Sequence, residues 1–131
     1  MEKRLIISSR LENISMVERL IDEISDALQL SSELYGKVLI ATVEAVNNGI
    51  VHGNKLKSEK KVEISVFSDG HILKIAIRDQ GPGFDFHNVP DPTTPENIEN
   101  IHGRGVFLMQ HLSDAVSFEQ EGSTVELTFN L

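Results

Sequence analysis

The stretch Glu44-Ala45-Val46-Asn47-Asn48-Gly49-Ile50-Val51-His52-Gly53 decides how this chain reads. It ends a helical pattern predicted over about Glu33 to Val51, whose main apolar stripe is Leu39, Val43, Val46 and Ile50. Glu44 and Asn48 are four apart, so they share a different helix face, while Asn47 lies off that face. Ala41 and Ala45 border the pair, and their small side chains leave room for something to sit there. Asn48 offers a neutral oxygen of the kind Mg²⁺ accepts. Glu44 can orient or deprotonate a hydroxyl. A solvated helix face accounts for the same two residues in isolation. Gly53 is expected near the C-cap, and Ser31 or Ser32 at the N-cap.

Working outward, Ile14, Val17, Ile21, Ile24 and Leu28 recur at helical spacing, with Asn13 or Ser15 as cap. Lys3 to Ser8 reads as a short strand before it. Val62, Ile64 and Val66 alternate with polar residues. So do Leu73, Ile75 and Ile77 beyond the turn Ser68-Asp69-Gly70, which makes a hairpin. Ala115 to Phe118 and Thr124 to Leu131 predict a closing hairpin. A helix is expected over Val106 to Leu112, opening directly after Gly103-Arg104-Gly105. The order β-α-α-β-β-loop-α-β-β predicts an α/β (α+β) two-layer sandwich. Its sheet is mixed, mostly antiparallel, with helices on one face. The chain reads as a single domain over 1–131.

Bulk composition narrows the function. The 131 residues are 40% apolar, enough for a real core, and contain no cysteine. A net charge of -8, from 12 basic and 20 acidic residues, disfavours broad contact with nucleic acid or an anionic membrane. A phosphate pocket built from backbone amides and a metal ion remains compatible with it. The apolar run Leu5 to Ile7 is too short for a signal peptide or a membrane span, so a cytoplasmic protein is expected. Five scattered histidines show no metal-binding spacing, and Ser8 and Ser9 have no visible base partner.

Two glycine-rich segments carry the remaining chemistry. Asp79-Gln80-Gly81-Pro82-Gly83-Phe84 follows a strand directly. A buried carboxylate there can accept a hydrogen bond from an adenine amino group, and glycines let a ring approach the backbone. A tight surface turn is the alternative. His102-Gly103-Arg104-Gly105 precedes the apolar run from Val106. Glycines opening a helix expose free amides where phosphates bind, with Arg104 adding charge. A hinge before a packed helix fits as well. Neither a Walker A loop nor a dinucleotide fingerprint is present.

These segments occur together and in order. Glu44 to Gly53 resembles the N-box helix of the gyrase, chaperone, histidine-kinase and mismatch-repair ATPase superfamily. Asp79 to Phe84 resembles its first glycine box and Gly103 to Met109 its second. Gly122-Ser123-Thr124 resembles the small-residue motif closing the adenine pocket. The nearest likeness is to bacterial anti-sigma factor serine/threonine kinases of the partner-switching type. The resemblance implies Glu44 as general base, Asn48 as Mg²⁺ ligand and Asp79 as the reader of adenine. Gly81 and Gly83 would then line the base and Thr124 assist. His102, Gly103, Arg104, Gly105 and Val106 would lie along the nucleotide, with the phosphates on Gly103, Arg104 and Gly105. Residues 85–102 would form an ATP lid. It also implies ATP and Mg²⁺ as cofactors and two protein partners: a sequestered sigma factor and an antagonist with a phosphorylatable Ser or Thr. Homodimers are common in such proteins. Gly49 departs from the alanine often found there, and Ser123 from the usual threonine.

The expected activity is phosphotransfer from ATP to the antagonist. The alternative is an ATP-dependent partner-binding module without turnover. A sensor histidine kinase fragment lacks room for its phosphoacceptor helices before the N-box. A ligand-free structural domain requires the glycine boxes to be coincidental.

Overall fold

The computed structural model describes residues 1–82, 101–119 and 123–131, with the side chains of 101–103 excepted. Strand β1 (Glu2–Ser8) leads through a 3-10 turn (Leu11–Asn13) into helices α1 (Ile14–Leu28) and α2 (Ser32–Asn48). A π-helical turn (Gly49–Gly53) extends α2. The hairpin β2 (Lys61–Ser68) and β3 (Ile72–Arg78) follows, then α3 (Ile101–Leu112), β4 (Ala115–Glu119) and β5 (Thr124–Asn130).

The five strands form one sheet in the order β1-β2-β3-β5-β4. Every pairing is antiparallel, so the mixed sheet expected from the sequence is corrected here. The reason is topological. The crossover from β3 through α3 to β4 joins two strands of the same direction, but it leaves one place open between them. β5 fills that place, and no parallel neighbours remain among the described residues.

Strand alternation gives the sheet one apolar face. Ile64, Ile77 and Val125 stand in register across three strands, as do Val66, Ile75 and Leu127. Leu73 and Phe129 complete the rows. These residues merge with Val17, Ile21 and Ile24 of α1, Val38 and Val46 of α2, and Val106 and Met109 of α3 into one core. Burying each such side chain contributes about 1.5–3 kcal/mol. The opposite face carries exposed Ile6 and Phe67 among charged residues, so the helices do lie on one side.

Helix ends partly follow the expected caps. Ser31 accepts the Leu34 amide at 3.2 Å and caps α2. Neither Asn13 nor Ser15 caps α1. The Asn13 amide donates instead to the carbonyl and hydroxyl of Ser8, and the Ser15 hydroxyl donates to the Glu12 carbonyl. Tying the helix start back to β1 satisfies these side chains better than a free cap does. Of the expected α2 stripe, Val46 and Ile50 are fully buried while Leu39 and Val43 are only half-buried, and the buried face also takes in Val38, Ala41, Thr42 and Ala45. Ala41 and Ala45 therefore keep no open space beside Glu44. Their small size lets α2 pack closely in the core.

Candidate functional site

The end of α2 is shaped to meet the end of β3. In the π turn the Asn54 amide donates five residues back, to the Gly49 carbonyl, at 2.8 Å. The widened turn lays Gly53 directly against Asp79: a Cβ at Gly53 would stand 2.4 Å from the Asp79 carboxyl carbon. A Cβ at Gly81 would fall 2.1 Å from the Gly53 carbonyl oxygen. Any larger residue at either position collides with backbone or with Asp79. Gly53 ends the helical turn next to the C-cap Asn54, as expected, and is also a close-approach residue. Left-handed residues follow it at Lys55 (φ 55°) and Leu56 (φ 59°).

Asp79 is half-buried at the foot of β3. Its amide donates to the Ser123 carbonyl at 2.9 Å, and its carboxylate accepts the Gly81 amide at 2.8 Å. Burial pushes this carboxyl above its usual range, against the opposing pull of the Gly81 amide and the Lys60 charge. A carboxylate held this way is starved of water and suited to accept from a neutral amino group. His52, on the same π turn, is pushed below its ordinary value, first by burial and then by Lys55.

The second half of the site lies one helical turn earlier on α2. Gly105 of α3 packs over it. A Cβ there would stand 3.1 Å from Asn48 Nδ2, 3.2 Å from Asn48 Oδ1 and 3.2 Å from Glu44 Oε2. Glu44 and Asn48 are therefore brought together with the second glycine segment. Asn48 is only 8% exposed, and both heteroatoms of its amide lack a hydrogen-bond partner among the described residues. Leaving a buried polar group unpaired costs about 1–3 kcal/mol, so this amide is shaped for something that binds. A neutral oxygen beside a carboxylate fits a hard cation such as Mg²⁺. No group of three or more His, Cys, Asp or Glu side chains converges on a metal position among the described residues. A cation at Asn48 would draw its other ligands from a bound molecule or water.

Other expected residues stand differently. Helix α3 begins at Ile101, not after Gly105, so Gly103, Arg104 and Gly105 lie inside it. Gly105 is the fifth residue of α3 as described, one beyond the four amides that a helix start leaves free. Two helical glycines cost about 1 kcal/mol each, and burial of Val106 and Met109 outweighs that. Val106 is a core residue, Arg104 is exposed, and His102 sits in the first turn. Gly83 and residues 85–100 of the expected lid lie outside the described residues, while residues 101 and 102 belong to α3. Thr124 pairs with Arg78 on the outer sheet face. Its buried hydroxyl has no partner among the described residues. Ser123 accepts the Asp79 amide on its backbone carbonyl. Asn54 was not singled out by the sequence. It is fully buried and bonds to Ser9, Lys61 and Gln80. Its place one residue after the His-Gly pair was the only available signal.

Comparison with known proteins agrees with the fold. The family model described as histidine kinase-like ATPase domain matches residues 7–129. An anti-sigma F factor of Bacillus subtilis (strain 168) is 37% identical over 94 residues, covering 67% of this chain and 64% of that relative. The match to this relative thus spans less than two thirds of its length. An anti-sigma F factor of Bacillus thuringiensis (strain Al Hakam) is 31% identical over 133 residues, covering 97% of this chain and 90% of the relative. No helix among the described residues is long and apolar enough to cross a membrane.

Proposed function

The chain belongs to the histidine kinase-like ATPase domain family, and from that premise we propose that it is a cytoplasmic anti-sigma factor with ATP-dependent serine/threonine kinase activity. Its partners are a sigma factor, which it sequesters, and an antagonist protein, which it phosphorylates on Ser or Thr. The names of its relatives support the first partner.

Each residue has a task in this account. Asp79 accepts a hydrogen bond from the amino group of adenine, at the point where Gly53 and Gly81 let the end of α2 close directly on the end of β3. Asn48 Oδ1 would hold Mg²⁺, which would supply charge neutralisation at the phosphates. The amides of the first α3 turn, at Ile101 to Gly103, face the phosphates. Glu44 orients the incoming hydroxyl and takes its proton. Catalysis is then chiefly positioning.

The observation that carries this reading is the buried Asn48 amide without a partner among the described residues, beside the Glu44 carboxylate. The test is transfer of the γ-phosphate to an antagonist captured from the native cell with Mg-ATP, by wild type and by Glu44→Gln. The account expects transfer by wild type, at least about 100-fold slower transfer by the variant, and similar ATP affinity for both. Equal transfer by both removes Glu44 from its role.

One observation favours the binding-only alternative. Gly105 of α3 lies close beside the Glu44 carboxylate and narrows access to it on that side. ATP would then set only the conformation that holds the partner. Mg-ATP-dependent capture of a partner with no transfer in the same assay would select it.

A further inference from the structure

Asn54 is a fully buried polar side chain that ties three separate segments together at the foot of β3. Its Oδ1 accepts the Gln80 amide at 2.7 Å. Its Nδ2 donates to the Ser9 hydroxyl at 2.8 Å and to the Lys61 carbonyl at 3.0 Å. Ser9 in turn donates to the Lys60 carbonyl at 2.8 Å. Gln80 returns the link by accepting the Lys61 amide on its side-chain oxygen at 2.6 Å. The end of β1, the start of β2 and the turn after β3 are thus locked through one carboxamide.

Gln80 stands between Asp79 and Gly81, whose amide holds the Asp79 carboxylate. Fixing the Gln80 amide therefore fixes the plane of the peptide that follows Asp79. Backbone conformation just after Asn54 points the same way. Lys55 and Leu56 are consecutive left-handed residues with side chains, and Leu56 is 52% exposed, so its packing does not hold it there. Such conformations persist only where neighbouring bonds over-determine them. Here those bonds are the Asn54 clamp, the Leu56 amide on the Ile50 carbonyl and the Lys57 amide on the Asn54 carbonyl.

We propose that Asn54 is a positioning residue that sets the aim of the Asp79 carboxylate, and so determines selectivity for a 6-amino purine without touching it. This rests on the assignment of Asp79 to adenine made above. Loss of the carboxamide frees the Gln80 amide and lets the carboxylate wander. Binding energy that depends on the amino group then falls, while energy from the phosphates stays.

The experiment compares ATP with purine riboside triphosphate, which lacks the 6-amino group, on folded wild type, Asn54→Ala and Ser9→Ala, by calorimetry with Mg²⁺. Asn54→Ala is expected to weaken ATP about tenfold, as loss of one well-aimed charged hydrogen bond does, and the amino-free analogue by less than about threefold. Ser9→Ala removes one of the acceptors that hold the amide and is expected to narrow the ATP preference by about two- to threefold. It keeps the test alive if Asn54→Ala does not fold. Equal losses for both nucleotides, or an unchanged preference in folded variants, overturn the proposal. Wild type that fails to prefer ATP over the analogue overturns the assignment of Asp79 itself, a separate outcome.

Discussion

Gly105 on α3 faces Glu44 on α2 with room for less than a methyl group between them: a Cβ on Gly105 would lie 3.2 Å from Glu44 Oε2. The same Cβ would lie as close to both heteroatoms of Asn48. Two glycine-containing segments and the acidic helix are thus one packed unit, and the position of α3 is read directly by the donor pair.

Gly105→Ala follows from this close approach. Alanine favours an interior helix position by about 1 kcal/mol over glycine. Crowding the ends of two side chains by a few tenths of an ångström offsets much of that gain. The melting temperature should move by no more than roughly 4 °C in either direction. Mg-ATP affinity should nevertheless fall about tenfold, because Asn48 and Glu44 must turn away from the added methyl. Thermal melts and nucleotide titration on the same preparation check both halves.

Asn48→Ala should separate stability from binding. The native amide is buried with both heteroatoms unpartnered among the described residues, so its removal relieves a penalty of about 1–3 kcal/mol and opens a small cavity of similar cost. Free variant and free wild type should melt within a few degrees of each other. The Mg²⁺-dependent part of ATP affinity should vanish in the variant. Titration with and without EDTA measures that part.

Asp79 should make the free protein less stable as pH rises. Burial raises its folded-state carboxyl above the usual range, so the native state keeps this proton at pH values where the unfolded chain has released it. Wherever the native state binds more protons, stability falls with rising pH. The contribution is neutral below the usual carboxylate range and turns unfavourable as pH climbs through the raised folded value. Asp79→Asn removes that slope, and the free variant should be at least as stable as wild type near neutral pH. Denaturant midpoints across pH 4 to 8, about the span in which such groups release their protons, compare the two slopes.

The sequence carried the sheet and the helix pair because both depend on periodicity. Ile64, Val66, Leu73, Ile75, Leu127 and Phe129 alternate cleanly, and all are buried on one face. The Glu44–Asn48 pair and Asp79 were legible because spacing four on a helix and a strand end are local facts. What escaped was set by tertiary approach. Gly53 reads as a helix stop, but its missing side chain serves Asp79, a contact 26 positions away. The start of α3 was misjudged because Gly103 and Gly105 are poor helix formers, while Val106 and Met109 bury deeply enough to outweigh them. Asn54 was invisible because three of its bonds reach Ser9, Lys61 and Gln80, and no local pattern marks such a residue.

Calorimetric titration of Mg-ATP into wild type and Asp79→Asn tests the purine end of the site with the fewest steps. The account predicts saturable one-site binding by wild type and at least about tenfold weaker binding by the folded variant. Undiminished affinity in Asp79→Asn, or no binding by wild type, would contradict it.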